Sequence, residues 1–543
     1  MKIALAQLNY HIGNFASNEQ QMIEAIKKAK TQSADLVVFA ELSISGYPPR
    51  DFLEFNDFID KCLQSTRNIA KECQDIAAIV GLPSINQAKK GKPLFNSAAF
   101  LIDGEIQHIR NKSLLPNYDI FDEYRYFEPN KDFSCINYKG KKIALTICED
   151  LWNIGDDPLY SINPMDELIK EQPDFIINIA ASPFHYDQRE IRKNILKANV
   201  NKYQIPLFYV NHVGAQTELL FDGGSMAMNE NGEIVKELKY FEEDFSIFDT
   251  EQLVSEKTHK TKSVKIELIH DALVMGIRNY FQKLGFKSAL LGLSGGIDSA
   301  VTLVLAARAL GAHNVLSILL PSQYSSDHSV KDAEDLAKNL QSPYEIIPIK
   351  NIFEAFASEL KPQFKDLPFG IAEENIQARS RGVILMALSN KFGHILLNTS
   401  NKSEAAVGYS TLYGDMNGGL SVLGDVYKID VFALAKYINK DQEIIPWNTI
   451  NKPPSAELRP DQKDSDSLPE YEILDEILYQ YIEKRQGPKE LIAMGFEKEL
   501  VSRILKLVNT NEYKRKQTPP ILRISSKAFG MGRRMPIVAR YLS

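Results

Sequence analysis

The chain has 543 residues, 44% of them hydrophobic and 24% charged, which suits a folded globular protein and excludes a collagenous, low-complexity or wholly disordered one. Lys and Arg number 63 against 70 Asp and Glu, a formal net charge of −7, so no general electrostatic drive toward nucleic acid or an anionic membrane exists. Any phosphate the protein binds must therefore be held locally, and at roughly 150 residues per domain the length predicts three or four units, or two large ones.

The N-terminal apolar stretch is too short for a signal-peptide core, and no run approaches bilayer-crossing length. Cysteines stand at 62, 73, 135 and 148 without metal or disulfide spacing, which suits a reducing compartment, and a cytoplasmic location is expected. Strands are predicted at 2–8, 36–40, 76–82, 97–102, 106–110, 143–148, 175–181 and 207–212, in Val-, Ile- and Phe-rich runs that end in turn formers. Helices are predicted at 18–30, 57–73 and 188–203. Asp103-Gly104 and Asn231-Gly232 mark hairpins. Cys62 and Cys73 fall in a predicted helix and Cys135 in a strand, where free cysteine is ordinarily packing. Residues 1–250 thus read as a mixed α/β domain, the polar, Lys-rich 251–265 as a linker, and 266–543 as a second domain. No internal repeat is visible.

The second half alternates strands (289–293, 315–320, 345–349, 394–398) with helices (299–310, 328–340, 373–392), and Gly311 and Gly393 stand at helix C-caps. That alternation predicts a doubly wound parallel sheet with ligands at the carboxyl ends of its strands. The charged stretch 455–469 is either a lid or a passive surface loop.

The sharpest motif runs Gly292-Leu293-Ser294-Gly295-Gly296-Ile297-Asp298-Ser299, after an apolar strand and into an apolar helix. Glycines admit backbone N–H groups close to an anion, and the helix start adds unsatisfied donors. Ser294 and Ser299 add hydroxyls. Asp298 would repel a phosphate unless a cation intervenes, so Mg²⁺ is expected there. A plain capped glycine turn is the bland alternative.

In strand–loop–helix context this loop resembles that of the N-type ATP pyrophosphatases, Rossmann-like enzymes that use AMP to activate a carboxyl or carbonyl for ammonia. Three further segments, Glu374-Asn375-Ile376-Gln377-Ala378-Arg379, Asn398-Thr399-Ser400-Asn401-Lys402-Ser403-Glu404 and Gly424-Asp425-Val426-Tyr427-Lys428, make the second half similar to the NAD synthetase family. The resemblance implies that Thr399 and the loop contact ATP and that Asn375, Glu404 and Lys514 contact deamido-NAD. It also implies that Asp298 and Glu404 hold Mg²⁺.

In the first half, Glu41, Lys112 and Cys148 all stand at strand exits, where active sites collect. A carboxylate can take a thiol proton, and an ammonium can stabilise a tetrahedral oxyanion. Sequence separation alone does not bring them together, and a buried structural cysteine with two surface charges is the bland reading. The words Ala40-Glu41-Leu42-Ser43, Asn111-Lys112-Ser113-Leu114 and Cys148-Glu149-Asp150-Leu151-Trp152 resemble the nitrilase superfamily, closest to its glutamine amidase branch. The resemblance implies an αββα sandwich, Glu41 as base, Lys112 as oxyanion stabiliser, Cys148 as nucleophile and Glu123 as a supporting carboxylate. Tyr118, Ser182 and Gln188 match glutamine-contacting positions. Lys or Arg is expected in place of Gln188, and Arg189 or Arg192 could compensate.

The whole chain then reads as a synthetase that releases ammonia from glutamine, adenylates deamido-NAD with ATP and aminates it to NAD. An internal ammonia route, a homo-oligomer, and no nucleic-acid or membrane partner are expected with it. The alternatives are another glutamine-dependent amidotransferase synthetase of the ATP pyrophosphatase type and a non-catalytic scaffold.

Overall fold

The computed structural model describes residues 1–88, 90–155, 157–255, 264–365, 367–459, 462 and 464–542. The chain divides into two compact units, 1–262 and 263–543. Most of the expected linker, 256–263, lies outside the described residues.

The first unit runs β1 (Lys2–Gln7), α1 (Phe15–Thr31), β2 (Leu36–Val38), α2 (Asn56–Lys71), β3 (Ala77–Ile85), β4 (Leu94–Ile102), β5 (Glu105–Asn111), α3 (Glu123–Tyr126), β6 (Ile136–Tyr138), β7 (Lys141–Ile147), α4 (Pro164–Leu168), β8 (Phe175–Ile179), α5 (Gln188–Tyr203), β9 (Leu207–Val210), β10 (Val213–Gln216), β11 (Leu219–Asp222), β12 (Met226–Met228), β13 (Ile234–Glu237) and β14 (Asp244–Asp249). Two six-stranded sheets form, in the orders β14-β1-β2-β3-β4-β5 and β13-β12-β9-β8-β7-β6, with β10 and β11 as a separate ribbon. α1 and α2 cover the first sheet, α4 and α5 lie by the second, and one apolar core fills the sandwich between them. This is the αββα layering expected of the nitrilase-like half.

Both sheets show the same pairing sequence across their width: antiparallel, parallel, parallel, antiparallel, antiparallel. A structural repeat is therefore present where the amino-acid sequence shows none, because pairing needs only the apolar pattern and not residue identity. Asp103 and Gly104 both take positive φ and close the β4–β5 hairpin, as that turn type demands. The Asn231-Gly232 turn joins β12 to β13. Cys135 precedes β6 instead of lying in a strand, and Cys73 lies beyond the end of α2.

The second unit runs α6 (Lys265–Leu284), β15 (Ala289–Gly292), α7 (Ile297–Leu310), β16 (Val315–Leu319), α8 (Asp327–Leu340), β17 (Tyr344–Ile346), α9 (Lys350–Phe364), α10 (Ile371–Phe392), β18 (Ile395–Asn398), α11 (Lys402–Val407), β19 (Leu420–Ser421) and α12 (Lys428–Ile438), followed by α13 (Trp447–Asn451), α14 (Tyr471–Ile482), α15 (Pro488–Ala493), α16 (Lys498–Thr510) and α17 (Glu512–Arg515). The order β17-β16-β15-β18-β19 is parallel throughout, so the sheet is doubly wound and reverses direction between β15 and β18. The glycine loop leaves β15 at that switch point, where such folds bind ligands.

Candidate active sites

Glu41 sits in the turn after β2, fully buried. Gly81 on β3 lies directly beneath it. A Cβ on Gly81 would stand 2.2 Å from Leu42 N, so only glycine lets this turn rest on the sheet. Glu41 Oε1 accepts from Lys112 Nζ (2.6 Å) and Asn96 Nδ2 (2.7 Å), and Oε2 accepts from the Ala181 amide (2.9 Å). Lys112 Nζ also donates to both oxygens of Glu123, at 2.9 and 2.8 Å. Tyr47 and Asn96 complete the shell of Glu123. One buried ammonium thus serves two buried carboxylates.

The electrostatics follow from that count. Burial would strip the proton from Lys112, but Glu123 and Glu41 outweigh it and hold the ammonium well above its ordinary range. Burial pushes Glu123 up, with Lys112 opposing and Glu41 assisting.

Cys148 opens the tight turn after β7 with φ of +42°, a backbone region unfavourable to a side-chain-bearing residue. The predicted strand therefore stops at Ile147. Asp150 holds the turn by accepting the amides of Ile147, Ser113 and Leu114, which ties the Cys148 turn to the segment just after Lys112. Burial raises the Cys148 thiol well above its ordinary value, Glu41 raises it further, and Lys112 opposes both. The resting group is a thiol, so attack requires a base.

Around this cluster, Tyr118 donates to Glu149, which also accepts from Tyr160. Gln188, the first residue of α5, donates to Ser182 Oγ at 3.2 Å.

In the second unit, Gly295 takes φ of +82°, and a Cβ there would stand 2.2 Å from Ser329 O, so the loop presses against the start of α8. Gly292, Leu293, Ser294, Gly296, Ile297, Asp298, Ser299, Thr399 and Glu404 line a cleft of about 610 Å³, a size suited to a small-molecule ligand. Ser294 Oγ accepts from the Gly296 amide and meets Ser299 Oγ at 3.2 Å. Asp298 accepts from Asn401 Nδ2 (2.8 Å) and Lys428 Nζ (2.6 Å), and Lys428 also reaches Glu404 at 3.0 Å. The cation beside Asp298 is thus an ammonium. Burial lifts Glu404 to about 7, with Lys428 opposing and Asp298 adding to the rise.

Asn375 and Lys514 meet at one turn: Asn375 Oδ1 accepts from Thr411 Oγ1, while Lys514 Nζ donates to Gly408 O and Ser410 O. In the described part of 455–469, Glu457 accepts from the Ser326 amide and from the hydroxyls of Ser326 and Ser329, and Leu458 O accepts from Gln377. Residues 460, 461 and 463 of that stretch lie outside the described residues. Among the described residues, no group of three or more His, Cys, Asp or Glu side chains could hold a metal, and no helix is long and apolar enough to cross a membrane.

Comparison with known proteins agrees with both halves. The carbon-nitrogen hydrolase family matches residues 2–257, and the NAD synthase family matches 269–518. The glutamine-dependent NAD(+) synthetase of Synechocystis sp. is 44% identical over 99% of each chain. That of Acinetobacter baylyi is 45% identical over 99% of this chain and 98% of its own. The chain belongs to the glutamine-dependent NAD(+) synthetase family.

The Acinetobacter baumannii glutamine-dependent NAD(+) synthetase, solved with ADP, covers 99% of this chain at 42% identity and a TM-score of 0.78, with 98% of its own length matched. A glutamine-dependent NAD(+) synthetase from Cytophaga hutchinsonii, 20% identical, shares the fold with a TM-score of 0.85.

The two arginines that could make up for Gln188 both have acidic partners. Arg192 is buried in a two-point pair with Asp222, at 3.0 and 2.6 Å, and Arg189 pairs with Glu237 and stacks on Tyr240. Sequence reasoning missed Asn96 and assigned no role to Lys428. Asn96 lies inside β4, where strand alternation alone carries no chemical signal. Lys428 appears in a quoted segment, but nothing in the spacing ties it to Asp298, 130 residues away.

Proposed function

We propose that residues 1–250 form the glutaminase of this NAD synthetase, 251–265 the linker and 266–543 the amidating half. The observation that carries this reading is the buried Glu41–Lys112–Glu123 cluster with Cys148 in a strained turn, on a chain that also bears the glycine loop. Glu41 takes the proton of the Cys148 thiol, and the sulfur attacks the carboxamide carbon of glutamine. Lys112 Nζ stabilises the oxyanion that forms. The C–N bond breaks, ammonia leaves carrying that proton, and water then hydrolyses the thioester to glutamate. Tyr118, Ser182 and Gln188 orient glutamine. With Gln188 neutral and both nearby arginines engaged, the substrate carboxylate is held by neutral donors.

In the second unit, the loop Gly292–Ser299 and Thr399 bind ATP, while Asn375, Glu404 and Lys514 bind deamido-NAD. An oxygen of the nicotinate carboxylate attacks the α-phosphorus and pyrophosphate leaves. Ammonia then attacks the acyl carbon and AMP leaves, giving the amide of NAD. Asp298 and Glu404 suit Mg²⁺, because two hard oxygen donors already flank one cation. When bound, the metal would offset phosphate charge. Ammonia passing between the steps must stay unprotonated, since ammonium has no lone pair. A homo-oligomer in the cytoplasm is part of the same reading, tested by sedimentation and by fractionation.

The test is NAD formation from Mg²⁺, ATP and deamido-NAD, with glutamine or ammonium as donor. Cys148→Ala should lose the glutamine route and keep the ammonium route. Equal loss of both would overturn the division of labour, and NAD from neither donor would point to another acceptor.

A further inference from the structure

The basic side chains lining the synthetase cleft are not equally spent. Lys428 is committed to Asp298 and Glu404, Lys452 to Asp332 and Ser329 Oγ, and Arg459 to Glu374 and Asp466. Among the described lysines and arginines of the lining, Arg381 is the one with no ion-pair partner. Its Nε donates to Leu320 O at 3.0 Å, which leaves the two terminal nitrogens of the fork unassigned. The guanidinium is half-buried, and burial without a paired carboxylate lowers it to about 10, with Glu457 and Asp415 acting only through space. A desolvated cation without a counter-charge is costly to keep.

Its position says which anion it awaits. Right-handed crossovers put α7 and α8 on one face of the sheet and α10 on the other. Arg381 lies on α10 one turn before Leu385, whose Cδ1 would stand 3.2 Å from a Cβ on Gly292 at the base of the loop. Leu320, which Arg381 holds, lies just beyond β16, the strand beside β15. Arg381 therefore faces the carboxyl edge of β15 and β16 from the wall opposite the loop. With this cleft read as the ATP site, the loop amides and the start of α7 suit the terminal phosphates, which would leave the α-phosphate to the opposite wall.

We propose that Arg381 is a residue of the amidating reaction that binds the α-phosphate of ATP through its terminal guanidinium nitrogens. This rests on the reading of the cleft as the ATP site. The contact forms and breaks no covalent bond. It holds the phosphorus for the nicotinate oxygen and remains on the AMP moiety when pyrophosphate leaves.

The test is calorimetric binding of AMP and of adenosine to the full chain, for the native protein, Arg381→Gln and Arg381→Lys. The native protein should prefer AMP over adenosine, and Arg381→Gln should reduce that preference by about ten- to a hundredfold, the worth of a charged hydrogen bond. Arg381→Lys should restore part of it, and it carries the test if Arg381→Gln fails to fold by circular dichroism. Deamido-NAD affinity should stay unchanged. An unchanged AMP preference in both variants overturns the proposal, as does a loss confined to deamido-NAD. If the native protein binds neither ATP nor AMP, the ATP-site reading itself fails.

Discussion

Lys428 Nζ stands 2.6 Å from Asp298 Oδ2, and the same ammonium reaches Glu404 at 3.0 Å. A residue in the first turn of α7 and a residue of α11 are thereby held by the first residue of α12. A metal at this seat would carry the same sign of charge as the ammonium and would compete with it. Lys428→Met should bind Mn²⁺ about tenfold or more tightly than the native protein in the absence of nucleotide, since close charges interact by several kcal/mol in partly buried surroundings. Calorimetric titration reads this directly, and equal affinities would show that the seat is not shared.

Glu123 touches the same ammonium as Glu41. Glu123→Gln leaves Lys112 with one carboxylate and removes the counter-charge that keeps it ordered between the two. Glutamine-driven NAD formation should fall by about a hundredfold or more, in the range of lost acid–base contributions. The ammonium-driven rate should stay within about twofold of native. A matching loss in both rates would mean that the substitution damages the fold.

Arg192 and Asp222 form a pair in which each side chain is 1% exposed. Arg192→Met leaves Asp222 buried without its partner and should cost about 3–5 kcal/mol. Adding Asp222→Leu should recover most of that loss, because the desolvation penalty goes with the charge. Urea unfolding of the single and double variants compares them, and no recovery in the double variant would reassign the cost to packing.

Asp475 lies on the buried face of α14, where it accepts from the Ser403 hydroxyl and the Ile429 amide. Burial raises it from an ordinary 3.8 to about 6, with Ser403 opposing. Between those values the folded protein holds a proton that the unfolded chain has lost. The stability from this group is full below pH 4 and declines as pH rises to about 6, the sign set by proton linkage. Asp475→Asn should flatten that part of a stability profile taken by urea unfolding from pH 4.5 to 7, and an unchanged slope would place the titration elsewhere.

Much of this was readable in the chain itself. The helix expected at 188–203 is α5, because its polar and apolar faces alternate at helical spacing between clear ends. β10 and β11 escaped notice, and β12 and β13 were marked only by the Asn231-Gly232 turn between them. Glu41, Lys112 and Cys148 stood out at strand exits, but their assembly depends on two sheets facing each other, which no local pattern encodes. Asn96 and Lys428 act through partners far along the chain. The predicted strand at 345–349 begins one residue earlier and ends at Ile346, although the Ile347 and Ile349 amides still donate to Leu319 O and Pro321 O.

β1 lies between β2 and β14, and Lys2 is paired in register with Asp249. The first strand made is thus completed by the last strand of its own unit. During synthesis its outer edge must wait, with its amides answered only by water, until nearly half the chain has left the ribosome. Closing so long a loop is slow, and an open edge strand recruits other strands. Overproduction should therefore put this half of the molecule at most risk of aggregation, and slower translation or lower temperature should favour the intact protein.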